Sequence, residues 1–182
     1  MLRQKEDIMR TFMVCLLCVV LGIIPVFAKT TTWTSAPEVG KIDKPSYTIE
    51  FEPTKSDSII FDGFRLTVTN KSAKTLEIDW NKTRYIQDGK TKGLFYYEGI
   101  DSKSIKNKTI KPDVIGAGKS LSKNICPAKL ISYAPIGEES VRPGKKGISC
   151  GLIPKGDNGI GLSLRLDGQT VNERLMVTIQ EK

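Results

Sequence analysis

The chain contains no histidine, which limits its chemistry from the start. Ser-His-Asp and Cys-His nucleophile pairs, His-ligated zinc and imidazole proton shuttles are excluded together. The string Gly116-Ala117-Gly118-Lys119-Ser120 ends like a phosphate-binding loop, which needs Gly-x-x-x-x-Gly-Lys-Ser/Thr after a strand. Here Asp113 takes the first glycine position, a carboxylate where phosphate charge must sit, and Lys108 to Pro112 before it is polar and proline-ended. The string reads as a turn. Ser120 to Lys123 satisfies the bare Ser-x-x-Lys pattern of some acyl-transfer serines, but its partner motifs are missing. Glycoside hydrolysis needs two carboxylates facing one bond. Asp57, Asp62, Asp79, Asp101, Asp113 and Asp157 offer no pair marked out by spacing, while Asp88 and Asp167 each precede glycine as turn formers. Lys155-Gly156-Asp157-Asn158-Gly159 lacks the further acidic positions of a calcium loop. No catalytic residue, cofactor or metal ligand is assigned, and the chain reads as a non-enzyme.

Residues Thr11 to Ala28 form an uncharged apolar run after Arg3, Lys5 and Arg10, with small side chains at Val26 and Ala28. That is the pattern of a secretory signal peptide, residues 1–28, cut between Ala28 and Lys29. An uncleaved membrane anchor is the alternative, since eighteen apolar residues just suffice to span. Either way the bulk of the chain is placed outside the cytoplasm, periplasmic or extracellular. The full chain carries 28 Lys+Arg and 20 Asp+Glu; loss of Arg3, Lys5, Arg10, Glu6 and Asp7 leaves +7 on residues 29–182. It also leaves two cysteines, Cys126 and Cys150. In an exported domain these are expected to form one disulfide, which stabilises by about 3 kcal/mol on a chain-entropy estimate.

The elements that must position any site are short and extended. Residues 29–45 show no apolar period and read as a linker or arm, followed by one domain over residues 46–182. Tyr47, Ile49 and Phe51 alternate with polar residues, as do Phe64 to Thr69 and then Leu76, Ile78 and Trp80, each a half-buried strand. The intervening Asn70 to Lys74 has the length of a hairpin loop. Arg84 to Ile86 and Leu94 to Tyr97 flank the turn signal Asp88-Gly89, so a second hairpin is expected there. Glu98 to Pro112 reads as a long polar loop. Ser120 to Cys126 and Gly147 to Ile153 are further strand candidates. Ile160, Leu162, Leu164 and Leu166, then Asp167-Gly168, then Val171, Leu175, Val177 and Ile179 form the clearest hairpin. About eight short strands without a helix describe an all-β antiparallel sandwich or barrel.

Charge and aromatic residues suggest one recognition surface. Lys103, Lys106 and Lys108 crowd the long loop, with Arg142, Lys145 and Lys146 in another. They fit weak association with anionic surfaces, or solubility and edge protection. Adjacent strand residues face opposite ways, so among Phe95, Tyr96 and Tyr97 at least one ring points outward. Tyr96 and Tyr97 are therefore candidate contacts, while Trp80, in phase with Leu76 and Ile78, is assigned to the core. Nucleic acid is not expected as a partner, since aromatics are not interleaved with the lysines. Asn70, Asn81 and Asn107 each open an Asn-Lys-Ser/Thr sequon; no glycan is predicted on them.

Phe64 to Ser72 followed by Leu76 to Trp80 resembles the strand–turn–strand pattern of immunoglobulin-like β-sandwich domains in exported bacterial proteins. Pro112 to Ser120 resembles the turn that precedes a later strand in those domains. The resemblance implies an immunoglobulin-like antiparallel sandwich and a bacterial exported compartment, and carries over no functional residues. With the missing catalytic groups, it points to a cell-envelope protein that binds a protein or glycan, or to an accessory domain of an envelope assembly. A hydrolase using carboxylates or Ser-Lys is the remaining alternative.

Overall fold

A computed structural model describes residues 32–55, 59–100, 107, 109–133 and 148–182 of the chain. The expected signal peptide or anchor, residues 1–28, lies outside the described residues, as do Lys103, Lys106, Lys108, Arg142, Lys145 and Lys146. Among the described residues no helix is long and apolar enough to cross a membrane.

The fold is all-β, built from two packed antiparallel sheets and a small two-stranded one. Its longest unit is the expected hairpin, β13 (Gly156–Leu166) and β14 (Gln169–Glu181). Asp167 at φ 52° and Gly168 at φ 78° make the two-residue turn. Two positive φ values in succession match the right-handed twist of the flanking strands. From Leu166↔Gln169 to Gly156↔Ile179 the register is unbroken. Two short strands share the other side of β13: β5 (Leu76–Ile78) meets its C-terminal half and β6 (Arg84–Gln87) its N-terminal half. β9 (Asp113–Ile115) adds to β5, β7 (Lys90–Gly93) to β6, and β1 (Trp33–Ala36) to the far end of β14.

The second sheet runs β2 (Gly40–Asp43), β3 (Tyr47–Lys55), β4 (Phe61–Asn70), β10 (Ser120–Pro127) and β8 (Phe95–Tyr97). Period-2 alternation faces Ile49, Phe51, Phe64, Leu66 and Val68 inward, against Leu162, Leu164, Leu175 and Val177 of the first sheet. Aromatic rings fill the middle. Phe51 stacks on Phe64 at 4.4 Å between centroids, and Phe95 meets Tyr85 edge-on at 5.8 Å. Each such ring removes roughly 150–250 Å² from water, a large contribution per residue to a core otherwise made mostly of Ile, Leu and Val.

Three expectations are corrected. Residues 29–45 are not simply an arm, because Trp33–Ala36 and Gly40–Asp43 are strands in different sheets, separated by the cis Ala36–Pro37 bond. Each is four residues long, too short to show a period. β4 and β5 do not form a hairpin: Asn70 to Thr75 carries the chain across the sandwich, and β4 pairs with β3 and β10. Both strands bury alternate residues in one core, and alternation cannot distinguish a hairpin from such a crossover. The Asp88-Gly89 turn joins β6 to β7, and β8 crosses to the second sheet instead.

Beyond β10 a 3-10 turn, Ala128–Leu130, leads into β11 (Ile131–Tyr133), which pairs with β12 (Ile148–Cys150). The expected Cys126–Cys150 disulfide is present, with Cα atoms 6.1 Å apart. It ties this small sheet to the end of β10. Replacing both cysteines by alanine should cost about 3 kcal/mol and lower Tm by roughly 10 °C. Calorimetry of the double variant beside the reduced wild type checks this; unchanged melting would mean that the bond does not constrain the unfolded chain.

Candidate recognition surface

The outward side of the second sheet is polar. Pairing aligns Asp43, Thr48, Thr69 and Ser120 in one row across four strands. Lys41, Glu50, Thr67 and Ser122 form the next, followed by Glu52, Arg65 and Asn124. Hydroxyls bond across the strands, Thr69 to Ser120 at 2.8 Å and Thr67 to Ser122 at 3.0 Å. Lys41 pairs with Glu50 at 2.8 Å and Asp43 with Lys71. Lys71 and Thr48 both bond the Asp43 carboxylate and hold its pKa below the usual range. The hydrogen bond and charge of Glu50 raise that of Lys41. At the far side of the same face Tyr96, half-buried, stands opposite Cys126.

Tyr97 does not belong to that face. It is 8% exposed and packs on Trp80 with centroids 4.7 Å apart. The alternation that turns Tyr96 outward necessarily turns its neighbour in. Lys123 lies over the Tyr97 ring at 4.0 Å and reaches Asp113 at 2.5 Å, while Trp80 Nε1 donates to the same carboxylate at 2.7 Å. Burial pushes the Tyr97 pKa up to about 12, with the charge of Asp113 adding to the shift. The cluster binds β9, β10 and β8 together at the root of the Glu98 to Pro112 segment. Spacing gave no hint of it, because its four members come from four separate stretches of chain.

Asparagine amides hold the crossings. Asn70, fully buried, donates to the carbonyls of Lys74, Ile115 and Gly116, and its Oδ1 accepts from Ser72 N and Oγ. Asn81 grips both main-chain groups of Ile110, at 2.7 and 2.9 Å. Neither amide is free to carry a glycan in the folded chain; Asn107 is exposed. Asn158 Nδ2 reaches the carbonyls of Pro154 and Gly156 at 2.9 Å each, and Tyr85 donates to its Oδ1.

The candidate reactive strings take structural roles. Gly116 to Lys119 is a turn closed by Lys119 N to Gly116 O at 3.1 Å, with Gly118 at φ 66°. It joins β9 to another strand, whereas a phosphate loop opens a helix. Ser120 and Lys123 stand three apart on β10, so they face opposite sides of the sheet and cannot act on one bond. Among the described residues no three Cys, Asp or Glu side chains converge in a way that could hold a metal ion. No family model, curated protein or solved structure matches the chain.

Two outcomes follow. Asn70→Ala leaves buried carbonyls without a donor and should lower stability by about 2–3 kcal/mol in urea unfolding with an unchanged slope; a loss under 0.5 kcal/mol, roughly the surface-substitution range, would show that the amide does not hold the crossing. Burial raises the pKa of Tyr47, Tyr85 and Tyr97 above the ordinary 10.0. The native state keeps these protons while the unfolded state releases them. Their contribution is thus complete below pH about 10 and is lost as pH rises beyond it, by about 1.4 kcal/mol per unit for each phenol. Alkaline unfolding should coincide with delayed phenolate absorbance. Ionisation of all tyrosines near pH 10 without loss of structure would contradict this packing.

Proposed function

We propose that the chain is an exported, non-enzymatic immunoglobulin-like domain that binds a protein or glycan partner in the cell envelope. The observation that carries this reading is the outer face of β2–β3–β4–β10, where hydroxyl, amide and charged groups stand in rows. Such a surface suits contact with another extended surface rather than enclosure of a small substrate. Hydroxyl and amide rows supply donors and acceptors for either peptide or sugar, and Tyr96 adds an aromatic at the rim.

Strand order supports the immunoglobulin-like reading. β3–β4–β10–β8 opposite β14–β13–β5 has the neighbour relations of the ABED and GFC sheets of that fold. The added strands β1 and β2, the β6–β7 ribbon and β9 depart from the minimal pattern. For export, the support is the Cys126–Cys150 disulfide, since such bonds persist in oxidising compartments, together with the basic and apolar N-terminal residues. The net positive charge fits a secondary, salt-sensitive attraction to anionic envelope surfaces.

The test is capture from envelope extract by the full chain, beside Thr67→Arg with Ser122→Glu, two changes at one exposed row. Wild type should retain a partner at salt near 0.15 M, and the variant should lose it about tenfold while melting normally. Capture of nothing above background at any salt would end the binding reading. Equal capture by the variant would move the site off this face.

A further inference from the structure

Among the described residues, the outer side of β14 pairs with another strand only at its far end. In the two-residue hairpin, odd-numbered residues from Gln169 onward direct N–H and C=O toward β13, and even-numbered residues direct them away. β1 uses the even positions only at the far end, where Ala36 pairs with Thr178 and Thr34 with Gln180, and Lys182 N bonds Thr32 O at 2.8 Å. The cis Ala36–Pro37 bond then sends the chain to the other sheet. Met176 lies beside Gly40, whose Cβ position is 3.5 Å from its carbonyl oxygen. Thr170, Asn172 and Arg174 are left with six main-chain groups that meet no partner among the described residues.

Other edges carry devices that discourage pairing. β7 presents Lys90 and Lys92 and ends in a register shift against β6. β2 holds Lys41 and Asp43 in ion pairs, and Lys55 occupies the Trp33 carbonyl of β1 at 2.6 Å. β8 and β9 are three residues each. β14 has no proline, no lysine and no bulge over its pairing with β13. Its inward carboxylate, Glu173, is already engaged by Tyr47 Oη at 2.5 Å.

The geometry points to this edge as the docking site for an extended segment of another protein, which adds as a strand antiparallel to β14 between Gln169 and Arg174. The inference rests on the protein-binding reading above and adds, to the outer face of the second sheet, a further contact of the same partner at this edge of the first. Charge selects the occupant. Arg174 is exposed on the outer side, and across Gly161 in the same row stands Arg84. A strand with acidic side chains on that side and apolar ones toward Val171 is complementary. A second copy is disfavoured, because it would bring two chains of net charge +8 together.

The probe is a short blocked peptide alternating valine and glutamate, mixed with the full chain and followed by amide hydrogen exchange. At 1 mM peptide a Kd of about 100 μM slows exchange by about tenfold. That slowing is expected at the amides of Thr170, Asn172 and Arg174 and absent at Lys41 and Asp43. A valine–lysine peptide should protect at least about tenfold less, because it meets Arg174 with like charge. Asn172→Pro, whose missing N–H faces solvent, should melt normally yet abolish protection; if it does not fold, Arg174→Glu should reverse the preference between the two peptides. Protection of another edge, no protection at all, or protection without peptide in a dimer that Asn172→Pro dissolves would overturn the inference. An envelope partner captured equally by wild type and Asn172→Pro would overturn it too and leave the binding reading standing, whereas no capture by either would remove that reading itself.

Discussion

Much of the first sheet hangs from the register between β13 and β14. The Asp167–Gly168 turn fixes that register, and a slip of one residue would flip every side chain of β14 to the opposite face. Leu175, Val177 and Ile179 would then exchange places with residues suited to water. The same register sets where β1 meets β14 and where β5 and β6 divide β13 between them. β13 tolerates this load because it is buried over most of its length, including Asn158, Gly159 and Ser163. Gly159 is required there: a Cβ would fall 2.3 Å from Leu175 O and Met176 Sδ.

Sequence patterning revealed most strands but not their neighbours. Alternation at Tyr47–Phe51, Phe64–Val68 and Ile160–Leu166 marks residues that face a core, and all three are strands. The two Asp-Gly turns were legible because positive φ at both residues is a local demand. What alternation cannot encode is which of two sheets a strand joins, since both bury their apolar face in the same interior. Hence β5 and β8 were assigned to the wrong hairpins. β1 and β2 were missed altogether, being four residues each with a glycine or proline in or beside them.

The candidate surface was legible only in part. Tyr96 and Tyr97 were singled out for adjacency, and strand geometry divides them, one toward the solvent face and one into the Trp80 cluster. The lysines of the long loop lie outside the described residues. The rows of hydroxyls were invisible in the sequence, because Thr48, Thr69 and Ser120 become neighbours only through pairing between strands distant in the chain. The amide clamps were equally hidden. An asparagine at a strand end looks like turn punctuation until its acceptors, 45 residues away for Ile115, are in place.

The Asn70 clamp also bears on the order of events during biosynthesis. Its amide nitrogen makes hydrogen bonds to three carbonyls inside the fold, yet the same nitrogen heads an Asn-Lys-Ser sequon. Oligosaccharide transfer acts on extended chain, before the crossing between the sheets can close. A sugar attached then would occupy the nitrogen that the native state requires and would be too bulky for a fully buried position. In a host with that machinery, modification and folding at Asn70 are mutually exclusive fates of each molecule. The yield of native protein there depends on whether the sheets close faster than the transferase acts.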